Sequence, residues 1–429
     1  MRAPRSRAAL LALLVAGILV PARPALAFSD VPPDHWAATA ITYVAQANPW
    51  MQDFGPEEFR PEELETRRLL ARALVLAFAP EEPADPALVF SDLPPEDPFY
   101  PYANVAARLR WLPPQRSGAW SPDRPVSVRE VDRALVRALA RTSPEVRRAL
   151  SGLSRVREAD GDRYRFGEWF RFLQLGRWLG LHRNHGDDRL ELRPTDRMRR
   201  DQVAYALWRA ATVAPWKLAA TRQFTDVTLP ALDPGDPLQD AQRRLTRFAL
   251  GYVGYPYVWA GEWRTRTSAG YCCGPQPQGG FDCSGFVWWV LKAAEDGYDA
   301  ARFRSYAGWP LPERSSASMA RATPSPVPFA DLQPGDVMFF ALNGGSTWRD
   351  VNHTAIYLGN GWMVHAASSV NGVTLERVGS GWYAERFLFG RRVLPVASPE
   401  PEPAPQPSPT PEPSPASEPS PTPGPSPTP

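Results

Sequence analysis

The tetrapeptide Phe28-Ser29-Asp30-Val31 returns as Phe90-Ser91-Asp92-Leu93, and each copy runs toward a segment with apolar residues at helical spacing. Further on, Phe59-Arg60-Pro61 ahead of Thr66 to Leu74 matches Trp120-Ser121-Pro122 ahead of Ser127 to Leu135. Leu192-Arg193-Pro194, leading into Arg199 to Leu207, is a third copy. A period of roughly sixty residues restricts the fold, because one such unit cannot bury its own apolar face and must stack on neighbours. Leu69, Leu70, Ala73 and Leu74 outline the first of these faces. Three mainly helical units are expected, over 28–85, 86–145 and 160–214.

The flanks differ in character. Arg2, Arg5 and Arg7 precede an apolar stretch from Ala8 to Val20 and the triplet Ala25-Leu26-Ala27, the order of a secretory signal over 1–27. That stretch is shorter than the roughly 20 residues that span a bilayer, so a retained anchor is the weaker alternative to cleavage. Residues 397–429 are almost wholly Pro, Ser, Glu, Thr and Ala, too poor in apolar surface to offset ordering entropy, and read as a disordered tail. Phe224-Thr225-Asp226-Val227 echoes the repeat but meets Pro230, Pro234, Gly235 and Pro237, so 215–239 reads as a linker. With 48 basic against 46 acidic residues, no footprint for nucleic acid is present.

Cys283 lies in Phe281-Asp282-Cys283-Ser284-Gly285, just ahead of Phe286, Val287, Val290, Leu291 and Ala294 at helical spacing. A cysteine in the first turn of a helix has its thiolate favoured by unpaired N–H groups and the dipole, so a lowered thiol pKa and fast alkylation are expected. Asp282 and Ser284 either cap this helix or touch substrate. The chain has three cysteines, an odd number for an exported protein, and the adjacent Cys272 and Cys273 either bridge each other or stay thiols. His353 to Leu358 and Trp362 to Ala367 read as a hairpin around Gly359-Asn360-Gly361. A two-residue loop would set 356 opposite 365 and separate the two histidines on opposite faces. A three-residue loop with Gly361 at positive φ sets 355 opposite 365, makes His353 and His365 diagonal neighbours, and is the expected one.

Residues 240–396 resemble the NlpC-type cell-wall peptidases, which are papain-like. The blocks that carry the resemblance are Gly254-Tyr255-Pro256-Tyr257-Val258-Trp259-Ala260-Gly261, the Cys283 segment, Leu311-Pro312-Glu313-Arg314-Ser315-Ser316, Leu332-Gln333-Pro334-Gly335-Asp336-Val337, His353-Thr354-Ala355-Ile356-Tyr357-Leu358-Gly359 and Met363-Val364-His365-Ala366. The resemblance implies an α+β fold, with N-terminal helices and a helix-borne cysteine packed on an antiparallel sheet. It implies Cys283 as nucleophile, His353 as general base and His365 as the residue that orients it. Tyr257, Asp282, Ser284 and Arg314 would face substrate, Tyr257 having a plain core aromatic as its alternative. A zinc site of the three catalytic candidates lacks closely paired ligands, so neither metal nor cofactor is expected.

The repeats, from Phe28-Ser29-Asp30-Val31 through His35-Trp36-Ala37 to Phe59-Arg60-Pro61 and Thr66-Arg67, resemble S-layer homology modules, which grip secondary polymers of bacterial walls. The family's Thr-Arg-Ala-Glu motif is degraded here to Thr66-Arg67-Arg68-Leu69, Ser127-Val128-Arg129-Glu130 and Arg199-Arg200-Asp201-Gln202, so 28–214 either bind polymer or serve as architecture. The combined expectation is a secreted, wall-associated hydrolase cutting peptidoglycan stem peptides at the D-γ-glutamyl-diamino acid bond. An amidase, a cross-bridge hydrolase and a non-catalytic wall-binding protein are the alternatives.

Overall fold

The computed structural model describes residues 28–160, 164, 166–183, 191–268, 270, 272–293, 311–367 and 372–394. The signal and tail readings, and Ala294, lie outside the described residues. In the N-terminal half, the first unit contributes the pair α1 (Ala38–Ile41), continued by a π-turn over Thr42–Ala47, and α2 (Arg67–Phe78), and the second the pair α3 (Tyr100–Arg108) and α4 (Val128–Thr142). After α5 (Pro144–Leu153) and β1 (Arg157–Glu158), where no element was expected, the third unit contributes the pair α6 (Phe170–Leu179) and α7 (Arg200–Ala211), and packing runs between units, α2 on α3, α4 on α6 and α7 on α1.

The three pairs close into a ring. Glu65 N–H donates to Met198 O at 3.0 Å, Met198 N–H to Val126 O at 3.0 Å, and Val126 N–H to Glu65 O at 2.9 Å. Each of these residues stands just before the second helix of its pair, so the pairs meet about a quasi-threefold axis. The recurring aspartate has a local cause. Asp30 accepts from the N–H groups of Phe59 (3.0 Å) and Arg60 (2.6 Å), and Asp92 from those of Trp120 (2.6 Å) and Ser121 (2.7 Å). In the third unit Asp196 accepts from Arg193 N–H at 2.9 Å instead, which is why the start of that unit is hard to read in the sequence.

Residues 215–239 are not a loose tether. They carry α8 (Pro215–Ala220), a 3-10 turn (Thr221–Thr225) and β2 (Thr228–Leu229), which pairs in parallel with β1. Their prolines mark turns as expected, but Phe224, Val227 and Leu229 between them are buried, and the Phe224 ring packs against Trp178 and Trp362.

The C-terminal half begins with α9 (Pro237–Leu250), three residues ahead of the expected Asp240, because Asp236 caps it by accepting from Gln239 N–H at 2.8 Å. β3 (Glu262–Trp263) and β4 (Gly280–Phe281) form a small antiparallel pair beside α10 (Cys283–Ala293), followed by α11 (Ser316–Arg321). An antiparallel sheet in the order β8-β7-β6-β5-β9 comprises β5 (Val337–Phe340), β6 (His353–Gly359), β7 (Trp362–Ala367), β8 (Gly372–Arg377) and β9 (Phe387–Arg391). The sequence suggests a single apolar stripe on α10, yet Trp288 and Trp289 are fully buried as well. Tyr252 and Trp263 pack on Trp289 while β6 and β7 cover the other side, and a helix enclosed in this way is apolar around most of its circumference. Ring and sheet share one core. The Gln174 side chain of α6 donates to Leu375 O (2.8 Å) and accepts from Leu375 N–H (2.7 Å), which occupies the open edge of β8.

The β6–β7 hairpin combines both registers considered above. Gly359 faces Trp362 across a two-residue turn in which Asn360 and Gly361 have φ of +52° and +76°. A bulge between Tyr357 and Gly359 then shifts the pairing, so that Ile356 faces Val364 and Tyr357 faces Met363. The loop is therefore shorter than expected, while the bulge restores the register that keeps His353 and His365 on one face.

Candidate active site

Cys283 opens α10 and is buried. Asp282 caps the helix: its Oδ1 accepts from Gly285 N–H at 2.6 Å and from Ser284 Oγ at 3.0 Å. Arg314 binds this turn from outside. Its Nη1 donates to Asp282 Oδ1 (3.1 Å) and Ser284 Oγ (2.9 Å), its Nη2 to Asp282 Oδ2 and Gly261 O (both 3.1 Å), and its Nε to Glu262 Oε2 (2.7 Å). Gly285 is required at this point, since a Cβ there would lie 1.9 Å from Gly261 O. The side chains of Asp282, Ser284 and Arg314, expected to face substrate, are thus engaged with one another in clamping the Cys283 turn. Tyr257 is half-buried, bridges Phe281 through its backbone and packs on the core, which matches its core-aromatic alternative.

His353 and His365 are buried, and His353 Nε2 lies 2.8 Å from His365 Nδ1. Tyr383, from the segment before β9, carries no motif that flags it, yet its ring sits 5.1 Å from that of His365 and 6.2 Å from that of His353. Both histidines stand on the sheet face of Phe340, Ala355, Tyr357 and Met363, whereas α10 packs on the opposite face with Ile356 and Val364. The thiol meets the sheet at the start of β6, at the backbone of the residue that follows His353. There, backbone hydrogen bonds from Thr354, the residue after His353, and from Ser284 favour the Cys283 anion.

Burial overrides that help. It pushes the Cys283 thiol up to about 12, with the Asp282 carboxylate adding to the rise. Burial also lowers His353 to about 4, and His365 falls well below the usual imidazole range through burial and the neighbouring His353. The resting site thus holds a neutral thiol and neutral rings, which corrects the expectation of a preformed thiolate. Among the described residues no hydrogen bond joins Cys283 to His353, so proton transfer requires the ring and the sulfur to close on each other when substrate binds.

Cys272 and Cys273 form a vicinal disulfide, and Cys272 N–H donates to Glu262 Oε1 at 3.0 Å, tying this loop to the acid that holds Arg314. Glu262 with these two cysteines, and His35 with Glu62 and Asp201, are the groupings of potential metal ligands among the described residues. Neither involves Cys283, His353 or His365. Among the described residues no helix is long and apolar enough to cross a membrane.

Residues 254–392 match the model of the NlpC/P60 family. A probable endopeptidase of Mycobacterium tuberculosis is 35% identical over 35% of this chain and 29% of its own length. A gamma-D-glutamyl-L-lysine dipeptidyl-peptidase of Bacillus cereus is 31% identical over 34% of each chain, and a murein DD-endopeptidase of Escherichia coli is 23% identical over 37% of this chain and 48% of its own. The chain thus spans between 29% and 48% of these curated relatives. The matched segment is the one that carries the Cys283 turn and the histidine hairpin.

Proposed function

We propose that this protein is a secreted, wall-associated peptidoglycan hydrolase, a cysteine endopeptidase that cuts stem peptides through a thiol acyl-enzyme. The observation that supports it most is the 2.8 Å His353–His365 pair at the end of the sheet where Cys283 opens its helix. In this reading the Cys283 sulfur attacks the scissile carbonyl as its proton passes to His353 Nδ1, and the oxyanion meets the Cys283 backbone N–H. His353 then protonates the leaving amine. Water attacks the thioester, gives its proton to His353 and releases the acid, and the thiol recovers its proton. His365 holds the ring throughout through His353 Nε2–H.

The bond we propose is that between D-γ-glutamyl and a diamino acid, as the name of the Bacillus cereus relative suggests. The Escherichia coli relative's name favours a cross-bridge bond as the second reading. Mass spectrometry of sacculi digested by the purified chain separates them: the first leaves a new diamino-acid amine within the stem, the second uncouples intact stems. An unchanged muropeptide pattern, identical to that left by Cys283→Ala, would instead support a non-catalytic protein. Residues 28–214 are proposed to hold the enzyme at the wall through secondary polymer. Cosedimentation of the Cys283→Ala chain with sacculi should fall when that polymer is stripped, and equal binding would leave the ring a purely architectural element.

A further inference from the structure

His365 Nε2 and Thr374 Oγ1 are both buried without a protein hydrogen-bond partner. They belong to residues directly opposite each other, His365 on β7 and Thr374 on β8, and both residues are fully shielded from solvent. Directly opposed side chains share one face of a sheet with Cβ atoms about 5 Å apart, a span that one water bridges well. Buried polar atoms are rarely left unpaired, and two of them on residues facing each other across paired strands are natural partners for one ordered water.

The tautomer follows from the geometry. For His353 to accept the thiol proton at Nδ1, its own proton must sit on Nε2 and point at His365 Nδ1, 2.8 Å away. A neutral His365 that accepts at Nδ1 carries its proton on Nε2. That buried Nε2–H then needs an acceptor, and Thr374 Oγ1 is the unpaired oxygen on the facing strand. Were His365 protonated on Nδ1 instead, His353 would carry its proton on Nδ1 and could not take one from sulfur.

We infer that Thr374 is a positioning residue for the peptidase reaction: through one bridging water it accepts from His365 Nε2–H and so keeps His353 Nδ1 free as the base. This rests on the proposed mechanism, but its main readout does not. With 15N-labelled histidine in the full chain, five histidines in all, the wild type and Thr374→Ser should show His365 protonated at Nε2. Thr374→Val, which keeps the shape and removes the oxygen, should show a mixture of tautomers. On sacculi, Thr374→Val should lose at least about tenfold in kcat with KM little changed, as expected when a base is held in the wrong tautomer, and Thr374→Ser should recover most of it. Melting curves confirm that each variant folds. A Thr374→Val chain with the wild-type tautomer overturns the inference, whatever its activity. If the tautomer shifts while no variant, wild type included, cleaves sacculi, the control of the His365 tautomer by Thr374 stands and the proposed function fails.

Discussion

At the hub of the helical ring, Arg200 lies between Glu65 and Asp53, both at 3.0 Å, and Arg67 meets Glu130 at 3.3 Å while donating to Trp120 O at 2.7 Å. These groups are as deeply buried as those around Cys283, yet each guanidinium has a carboxyl group beside it, although burial raises Glu65 to about 8. At the candidate active site the buried groups are a thiol and two imidazoles that burial holds neutral, with His365 Nε2 lacking a protein partner. The two regions show that burial alone does not mark a functional site. Pairing turns a buried polar group into architecture, and leaving it neutral and incompletely bonded keeps it available for chemistry. The Arg314 clamp follows the first pattern, placed one turn from the nucleophile.

The comparison can be broken in order of expected effect. Cys283→Ala should reduce stem-peptide cleavage by at least about a thousandfold with the melting curve almost unchanged, since it removes the nucleophile and no ion pair. Comparable loss of stability would place Cys283 with the structural residues. Arg314→Met should cost about 3–5 kcal/mol in denaturant unfolding, because Glu262 and Asp282 are left buried without their cation. A cost near zero would mean that the clamp is no part of the architecture.

The neutral rings make a pH prediction. The folded pKa of His353, about 4, lies below the ordinary imidazole value of 6.5, so between these limits the unfolded chain binds more protons and stability falls as the pH drops. The full effect is about 3 kcal/mol, and His353→Gln should flatten that part of the stability profile. Activity should hold through pH 6 and fail only as His353 becomes protonated near 4. Iodoacetamide should label native Cys283 at least about tenfold more slowly than the urea-unfolded chain at pH 7, the difference narrowing as pH rises, because the thiolate is the reactive form. Faster native labelling would restore the preformed ion pair. The smallest effect belongs to the hairpin: Asn360→Ala, at a φ of +52°, should cost roughly 1 kcal/mol without moving the histidines, since the bulge sets the register.

Much of this was legible in the linear chain. The Phe-Ser-Asp repeat located the helical units because its aspartate makes local hydrogen bonds, and the residues before α10 placed Cys283 at a helix start because such a start leaves a local signature. The two histidines were readable as a pair only conditionally, through the choice of register.

What escaped the sequence depends on neighbours distant along the chain. Closure of the ring rests on hydrogen bonds among residues 65, 126 and 198, and the place of Phe224 exists only because Trp178 and Trp362 meet there. The hydrogen bonds of Arg314 to Glu262 and Asp282 join residues 52 and 32 positions apart. Residue order determined which groups the site would contain and which elements would carry them, since helix starts, turns and alternation are set by nearest neighbours. Tertiary structure decided their chemical state, because desolvation and pairing depend on everything packed around a group. That is why a thiol expected to be ionised rests neutral beneath its sheet.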